Sequence, residues 1–278
     1  MPVIAITHEM GSLAKDVAMQ LAQTQNLAVM RHEVLDHVSE KMHISKSMIN
    51  RLREGKAGMV ERLTADQDTI ALYTAEELFE LAQLGNVVLR GWGATCLLRP
   101  VSHVVCVRIT RSMKKRVEWL MANLDTDDAE FAESEIRRSD SAHSARMHHQ
   151  FGVTWGDPVL YDLVLNTDRL SVDSCVEQIR VLADRPEFQE TAESRAALGN
   201  MTLAAHIRAA LRSNVATKGI NITIECSGAQ VTLRGIVVNE AERAETENVA
   251  HAVPGVRDVD NQLRLMSRSK LFTSAKYL

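Results

Sequence analysis

The sequence predicts two domains: an α/β domain with a parallel sheet covered by helices on both faces over residues 1–184, and a small α+β domain of order α-β-β-α-β over residues 200–266. Three observations predict this. The chain has 278 residues, the length of about two domains. Its first part alternates short apolar runs with amphipathic helical patterns, as helix-covered parallel sheets do. After residue 200 the pattern changes to alternating strands around a turn signal.

Val3–Ile6 reads as a short buried strand, and a helix follows from about Leu13 to Gln25, with Val17, Leu21 and Ala22 on one face. Leu27–Met30 is a second strand, with helical patterns at about 33–42 and 45–53 after it. Residues 53–59 (Arg-Glu-Gly-Lys-Ala-Gly-Met) read as a glycine-punctuated loop. A helix at 67–84 is stopped by Gly85-Asn86, and Val87–Leu89 is the third strand. His103–Ile109 is apolar almost throughout, as expected of a strand buried on both faces. Ser112 caps a helix to about Asn123. Residues 127–150 form a long, charged helical stretch that reads as exposed. Asp162–Leu165 is the fifth strand and 172–184 a closing helix. Residues 185–199 read as a linker. In the second domain, Leu203–Asn214 and Glu240–Ala252 read as helices, and 220–225, 230–234 and 256–265 as strands. Residues 267–278 form a tail with Arg268, Lys270 and Lys276 and no acid.

Composition narrows the function. Apolar residues make up 45% and charged residues 24%, with a net charge of −4, so no basic field covers the molecule and general nucleic-acid binding is not expected. The four cysteines form no CxxC pair, which argues against a zinc knuckle, and scattered thiols suit a reducing compartment. The N-terminus lacks the pattern of a signal peptide, and the expected location is cytoplasmic.

Three segments carry candidate chemistry. Thr7-His-Glu-Met-Gly11-Ser12-Leu13-Ala14-Lys15-Asp16 joins the first strand to the first helix. A helix N-terminus offers unpaired N–H groups and partial positive charge, and Lys15 adds a point charge, so this loop can hold a phosphate. The strict GxxxxGK[ST] pattern is absent, and a plain β–α turn with a surface lysine fits the same residues. Arg90-Gly91-Trp92-Gly93 follows the third strand, at the sheet edge where ligands bind in doubly wound folds; a tight turn with Trp92 in the core is the alternative. The third, Arg137-Arg138-Ser-Asp140-Ser-Ala-His143-Ser-Ala-Arg146-Met-His148-His149, can fold over phosphates as a lid or form a solvated helix face. Its histidine spacings do not share one helix face, so no metal site is expected.

These residues resemble the cytidylate-kinase-like family of P-loop nucleoside monophosphate kinases. The resemblance runs through Ile4-Ala-Ile-Thr-His-Glu-Met-Gly-Ser12, Gly85-Asn-Val-Val-Leu-Arg-Gly-Trp-Gly93-Ala, Arg116, Asp140 and Phe151-Gly-Val-Thr-Trp-Gly-Asp-Pro158 with Tyr161-Asp-Leu-Val-Leu-Asn-Thr167, covering about residues 1–182. It implies ATP and Mg²⁺ as cofactors if the protein is active, and a nucleotide or other phosphate compound as partner. Gly11, Ser12, Leu13, Ala14, Lys15 and Asp16 would bind the nucleotide. Lys15, Arg116, Arg137, Arg138 and Arg146 would act in catalysis as charge clamps. Arg31, Gly91, Trp92 and Gly93 would form the acceptor site, and Asp140 and His143 would belong to the lid. Leu13 and Ala14 replace loop glycines of the family pattern, Arg31 an aspartate, and Trp92 and His143 arginines. Phosphoryl transfer depends on positive charge and close backbone approach, so these departures together predict nucleotide binding with lost or weak turnover. An active kinase and a ligand-free interaction protein are the alternatives.

Residues 200–266 resemble a BON domain, through the helix around Ile207 and Leu211, Val231-Thr-Leu-Arg-Gly235, and Val253-Pro-Gly255-Val-Arg-Asp-Val259. That resemblance implies contact with a protein partner or lipid; self-association into a homo-oligomer is also open.

Overall fold

The computed structural model describes residues 2–30, 32–64, 66–91 and 93–266, which fall into two compact units divided between Leu198 and Gly199. The first unit runs β1 (Val3–His8), α1 (Ala14–Gln25), β2 (Ala28–Met30), α2 (His32–Met42), α3 (Lys46–Arg53), α4 (Met59–Thr64), α5 (Gln67–Leu84), β3 (Val87–Arg90), α6 (Ala94–Leu97), β4 (Val104–Thr110), α7 (Met113–Leu124), α8 (Ala129–Phe151), β5 (Leu163–Asn166) and α9 (Val172–Ala183). The five strands form one sheet in the order β2-β3-β1-β4-β5, and every neighbouring pair is parallel.

Strand periodicity assigns the two faces. Ile4, Ile6, Val88, Val105, Val107 and Ile109 pack with Val17 and Leu21 of α1 and Ile179 of α9 in one core. The alternate positions turn the other way, where the Cys106 Sγ reaches the Thr95 carbonyl of α6. Burial pushes the Cys106 thiol up to about 12, so it is an inert core group. Asp162 ties β4 at that edge: its Oδ2 accepts from the Cys106 N–H at 2.7 Å.

Polar caps start several helices, that of Ser112 as its sequence predicts. The Ser112 hydroxyl accepts from the Lys115 N–H, Asp128 from Phe131, and Ser171 from Ser174. α2 packs against α5 through His37, which lies 3.0 Å from both the Glu76 and the Glu77 carboxylates.

The long charged stretch differs from its expectation. α8 is helical but not exposed throughout: Ala132, Ile136 and Met147 are buried, and the first two pack with Leu120 of α7. Those three positions lie close to whole turns apart, and so one narrow apolar stripe suffices to dock an otherwise polar helix. The segment expected as a linker is also structured. Pro186–Phe188 is a 3-10 turn, and α10 (Ala192–Ser213) begins inside the segment, capped by a reciprocal pair in which Ser194 and Thr191 each accept the other's N–H.

The second unit continues through β6 (Thr223–Ser227), β7 (Gln230–Val237), α11 (Glu240–His251) and β8 (Asp258–Leu265). β6 and β7 form an antiparallel hairpin about Gly228-Ala229, and α11 returns the chain so that β8 lies parallel to β7. Ile207, Leu211, Val231, Leu233, Ala250 and Leu263 make its core. Among the described residues no helix is long and apolar enough to cross a membrane. The tail 267–278 lies outside the described residues.

Candidate functional site

The loop after β1 is built by side chains that hold its carbonyls. Arg116 Nε donates to the Met10 carbonyl at 2.7 Å, Arg111 Nη1 to Gly11 at 3.3 Å, and Thr167 Oγ1 to Ser12 at 2.9 Å. Glu9 anchors the loop from the sheet side: its carboxylate accepts from Arg108 Nη2 and Thr110 Oγ1, both at 2.7 Å, and from the Arg111 N–H. Gly11 has φ +79°, and a Cβ there would lie 3.1 Å from Trp119 Cε3 and 3.2 Å from the Arg116 Cα. Glycine is therefore favoured by conformation, and a Cβ would be tight against α7.

Leu13 occupies the N-cap of α1 with φ 61° and no side-chain cap. An L-residue there costs roughly 1–2 kcal/mol that a glycine would not. The backbone thus keeps a glycine-type conformation with a leucine in it. Ala14 behaves differently, because its methyl is buried in the core with Ile4 and Val17. Of the two replaced glycine positions, only Leu13 is a conformational misfit.

The loop opens onto a cleft of about 390 Å³. Gly11, Ser12, Leu13, Ala14, Lys15 and Asp16 line one wall, and Gly91, Asp140, His143 and Arg146 line the others. The first turn of α1 presents N–H groups without intrahelical partners. Beside them Ser12 is 1% exposed, and its hydroxyl has no hydrogen-bond partner among the described residues.

Other expected residues are placed differently. Arg116 is not a free clamp: it is buried, and besides Met10 it holds Asp140. Arg137 and Arg138 do not line the cleft. They pair with Glu133 and Glu135 along α8, because charges three or four residues apart meet on one helix face. Gly93 is likewise absent from the cleft wall; it caps α6 with φ +77°, where a Cβ would meet the Phe151 ring at 2.9 Å. Arg31 and Trp92 lie outside the described residues.

Arg90, from the candidate segment after the third strand, and Arg53, from outside the candidate segments, also line the cleft. Arg90 ends β3, and its Nη1 lies 3.4 Å from His8 Nε2. Arg53 ends α3, and its carbonyl accepts from Arg146. Burial pushes the Arg146 guanidinium down to about 10. Most lining carboxylates are already engaged: Glu9 by Arg108, Asp140 by Arg116 and Glu54 by Lys56. Lys15, Arg53, Arg90 and Arg146 bring positive charge to the same walls.

Trp155 closes one side. Its Nε1 donates to Thr7 Oγ1 at 3.0 Å, Arg108 lies over its ring at 4.3 Å, and the His143 ring stacks against it at 4.2 Å. Burial first, then the charges of Arg146, His8, Arg53 and Arg108, hold His143 well below the usual histidine range, so it is neutral. A second cavity of about 270 Å³ shares Arg53 and Arg146 with the cleft and is walled mainly by Ile49, Leu52, Ile70, Leu97 and Phe151. The buried Thr74 hydroxyl, which also has no partner, lines it.

Residues 3–169 match the model of the cytidylate kinase-like family, and residues 201–266 match that of the BON domain. The chain belongs to the cytidylate kinase-like family. It is 27% identical over 177 residues to a cytidylate kinase of Pyrobaculum islandicum, and 24% identical over the same length to one of Pyrobaculum aerophilum. Each alignment covers 63% of this chain and 89% of the relative. A crystal structure of an uncharacterized protein from Eubacterium ventriosum shares the fold, with a TM-score of 0.51 and 20% identity over 66% of this chain and 99% of that one. The cytidylate kinase-like unit carries the cleft, and the BON domain follows it.

Proposed function

We propose that the cytidylate kinase-like unit binds a phosphorylated compound of the nucleoside monophosphate type in the cleft at the α1 N-terminus and is a poor phosphotransferase. The observation that carries the reading is the Ser12 hydroxyl, buried and unpartnered beside the free N–H groups of α1 and Lys15. A buried donor without a partner costs free energy, and a phosphate oxygen supplies what it lacks. The adjoining apolar cavity suits a body attached to that phosphate, joined to the cleft across Arg53 and Arg146.

Weak turnover follows from the same geometry. Transfer needs close backbone approach and mobile positive charge around the moving group. Leu13 carries a side chain at the turn, Arg116 is committed to Asp140, and His143, which carries no permanent charge, stands where the family pattern has arginine. The phosphates of ATP suit the loop. Among the described residues no group of three His, Cys, Asp or Glu side chains stands ready for a metal, so Mg²⁺ would arrive with the phosphates. In this reading the first unit senses a ligand and the BON domain passes the signal to a protein or lipid partner. Exposed Ile236, Val238 and Met266 near one end of its sheet favour a contact role.

An active nucleoside monophosphate kinase is the second reading, favoured by the presence of Arg53, Arg90 and Arg146 together at the cleft. A thermal-shift panel of nucleoside mono-, di- and triphosphates, with and without Mg²⁺, tests binding. A ligand at 100 times its Kd adds about 2.7 kcal/mol, and Lys15→Ala should remove most of that shift. A coupled ADP-release assay then separates the readings: Mg²⁺-dependent turnover abolished by Lys15→Ala establishes the kinase. The absence of any ligand shift leaves an interaction protein.

A further inference from the structure

We propose that His143 is a protonatable ligand of the cleft: an anion entering it draws a proton onto the imidazole and is held by the imidazolium, so that affinity rises as pH falls. This rests on the reading of the cleft as an anion site. His143 lies on α8 one turn beyond Asp140 and lines the cleft, and its ring lies against that of Trp155, with centroids 4.2 Å apart and planes tilted by 43°. No hydrogen bond within the protein competes for its nitrogens among the described residues.

The surroundings explain why the proton is absent without a ligand and welcome with one. Arg146 on the same helix, Arg53 beyond α3, Arg108 on β4 and His8 at the end of β1 all disfavour an imidazolium. The carboxylates facing it do not compensate, since Glu9 is taken by Arg108 and Asp140 by Arg116. Arg90 and Lys15 add positive charge to the other walls, and Asp16 sits in the first turn of α1. A bound divalent anion reverses this balance, because it attracts the imidazolium while neutralising the arginines that repel it. Linkage is reciprocal, so an anion that raises proton affinity is itself bound more tightly by the protonated form.

Sulfate is the suitable probe, because it does not titrate between pH 6 and 8. The intact chain is titrated with sulfate calorimetrically at pH 6, 7 and 8, in buffers of different ionisation heat. Kd is expected to fall about tenfold from pH 8 to pH 6, with uptake of up to one proton per sulfate, as follows when the bound anion lifts the imidazole from below this pH window into it. His143→Gln and His143→Phe, the second of which keeps an aromatic ring against Trp155, should still bind at pH 8 with the pH dependence flattened and the uptake gone. A flat wild-type profile overturns the proposal. So does an unchanged slope in both variants, which with loss of the slope in His8→Gln assigns the proton to His8. No sulfate binding at any pH, or binding indifferent to Lys15→Ala, overturns the anion-site reading itself and the proposal with it.

Discussion

Arg116 on α7 holds both carboxylate oxygens of Asp140 on α8, with its Nη2 2.7 and 2.8 Å from them. The same guanidinium holds the Met10 carbonyl, so one buried arginine joins the β1–α1 loop to the helix that covers the cleft. Without Asp140 the buried guanidinium keeps, among the described residues, only the more distant Glu9 carboxylate, 3.8 Å from its Nη1. Asp140→Ala is therefore expected to lower stability by about 3 kcal/mol in urea unfolding and to speed amide exchange along α8. Arg116→Met with Asp140→Leu should recover most of the loss, because that pair of changes removes both charges. Equal losses in the single and double variants would mean that α8 is held by its apolar stripe alone.

Leu13→Gly should improve the site. The residue sits at φ 61°, and glycine relieves a local cost of roughly 1 kcal/mol while removing a side chain from the cleft wall. Nucleotide or sulfate affinity should rise severalfold with little change in unfolding midpoint. Ala14→Gly should not help in the same way, since that methyl is core, and a loss of stability is expected instead. If Leu13→Gly weakens binding, the leucine contacts the ligand and is no relic of a glycine loop.

The sheet and the loop were legible in the sequence because each has a local signature. The buried runs Val3–Ile6 and Val104–Ile109 are strongly apolar, and Gly11-Ser12 next to Lys15 marks the loop that lines the cleft. The clamp was less legible. Arg137 and Arg138 look like clamps in a linear reading, but the i,i+3 and i,i+4 geometry of a helix gives them nearer partners. Arg90 belongs to a strand-end glycine segment that reads as a ligand edge, whereas Arg53 is brought to the cleft by topology from the end of α3, and no local pattern gives it a role there. The only hint for Arg53 was position: it opens a glycine-punctuated loop. The burial of one stripe on α8 rests on Ala132, Ile136 and Met147, too sparse a set to stand out among charges.

His37 makes the first unit sensitive to alkaline pH. The Glu76 hydrogen bond, then that of Glu77, raises its pKa to about 9. A histidine raised above its unfolded value of about 6.5 contributes stability that is fully present below pH 6.5 and is lost as pH rises through 9. The contribution is on the order of 1–3 kcal/mol. Urea midpoints should fall between pH 6.5 and 9.5, and His37→Gln should flatten that decline. An unaltered decline in the variant would place the sensitive group elsewhere.

Gly235→Ala should damage the BON domain alone. Its φ is +153°, and a Cβ would lie 2.8 Å from Ile222 Cγ2 and 3.3 Å from the Ile222 Cα. The second contact is backbone, which cannot swing aside, so a cost of about 1–3 kcal/mol is expected. Trp92, Trp119 and Trp155 are all in the first unit, so the two units can be watched separately. The circular dichroism melt should gain an earlier component while the tryptophan fluorescence midpoint stays in place. A shift of the fluorescence midpoint by the same amount would mean that the two units unfold together.

Arg146 should trade stability for binding. Its guanidinium is pushed down to about 10 by burial, and its one hydrogen bond among the described residues goes to the Arg53 carbonyl, with no carboxylate beside it. Such a cation is costly while the cleft is empty and valuable once an anion arrives. Arg146→Met keeps much of the side-chain volume and removes the charge. Without ligand the variant should be at least as stable as the parent. Sulfate and nucleotide binding should weaken by about tenfold, the effect of losing one charge-assisted hydrogen bond of roughly 1.4 kcal/mol. The opposite signs matter, because a purely structural arginine would lower stability on removal and leave the affinity of the folded fraction intact. A destabilised variant with unchanged affinity would assign Arg146 to holding the end of α3, and the anion would then be met by Lys15, Arg53 and Arg90.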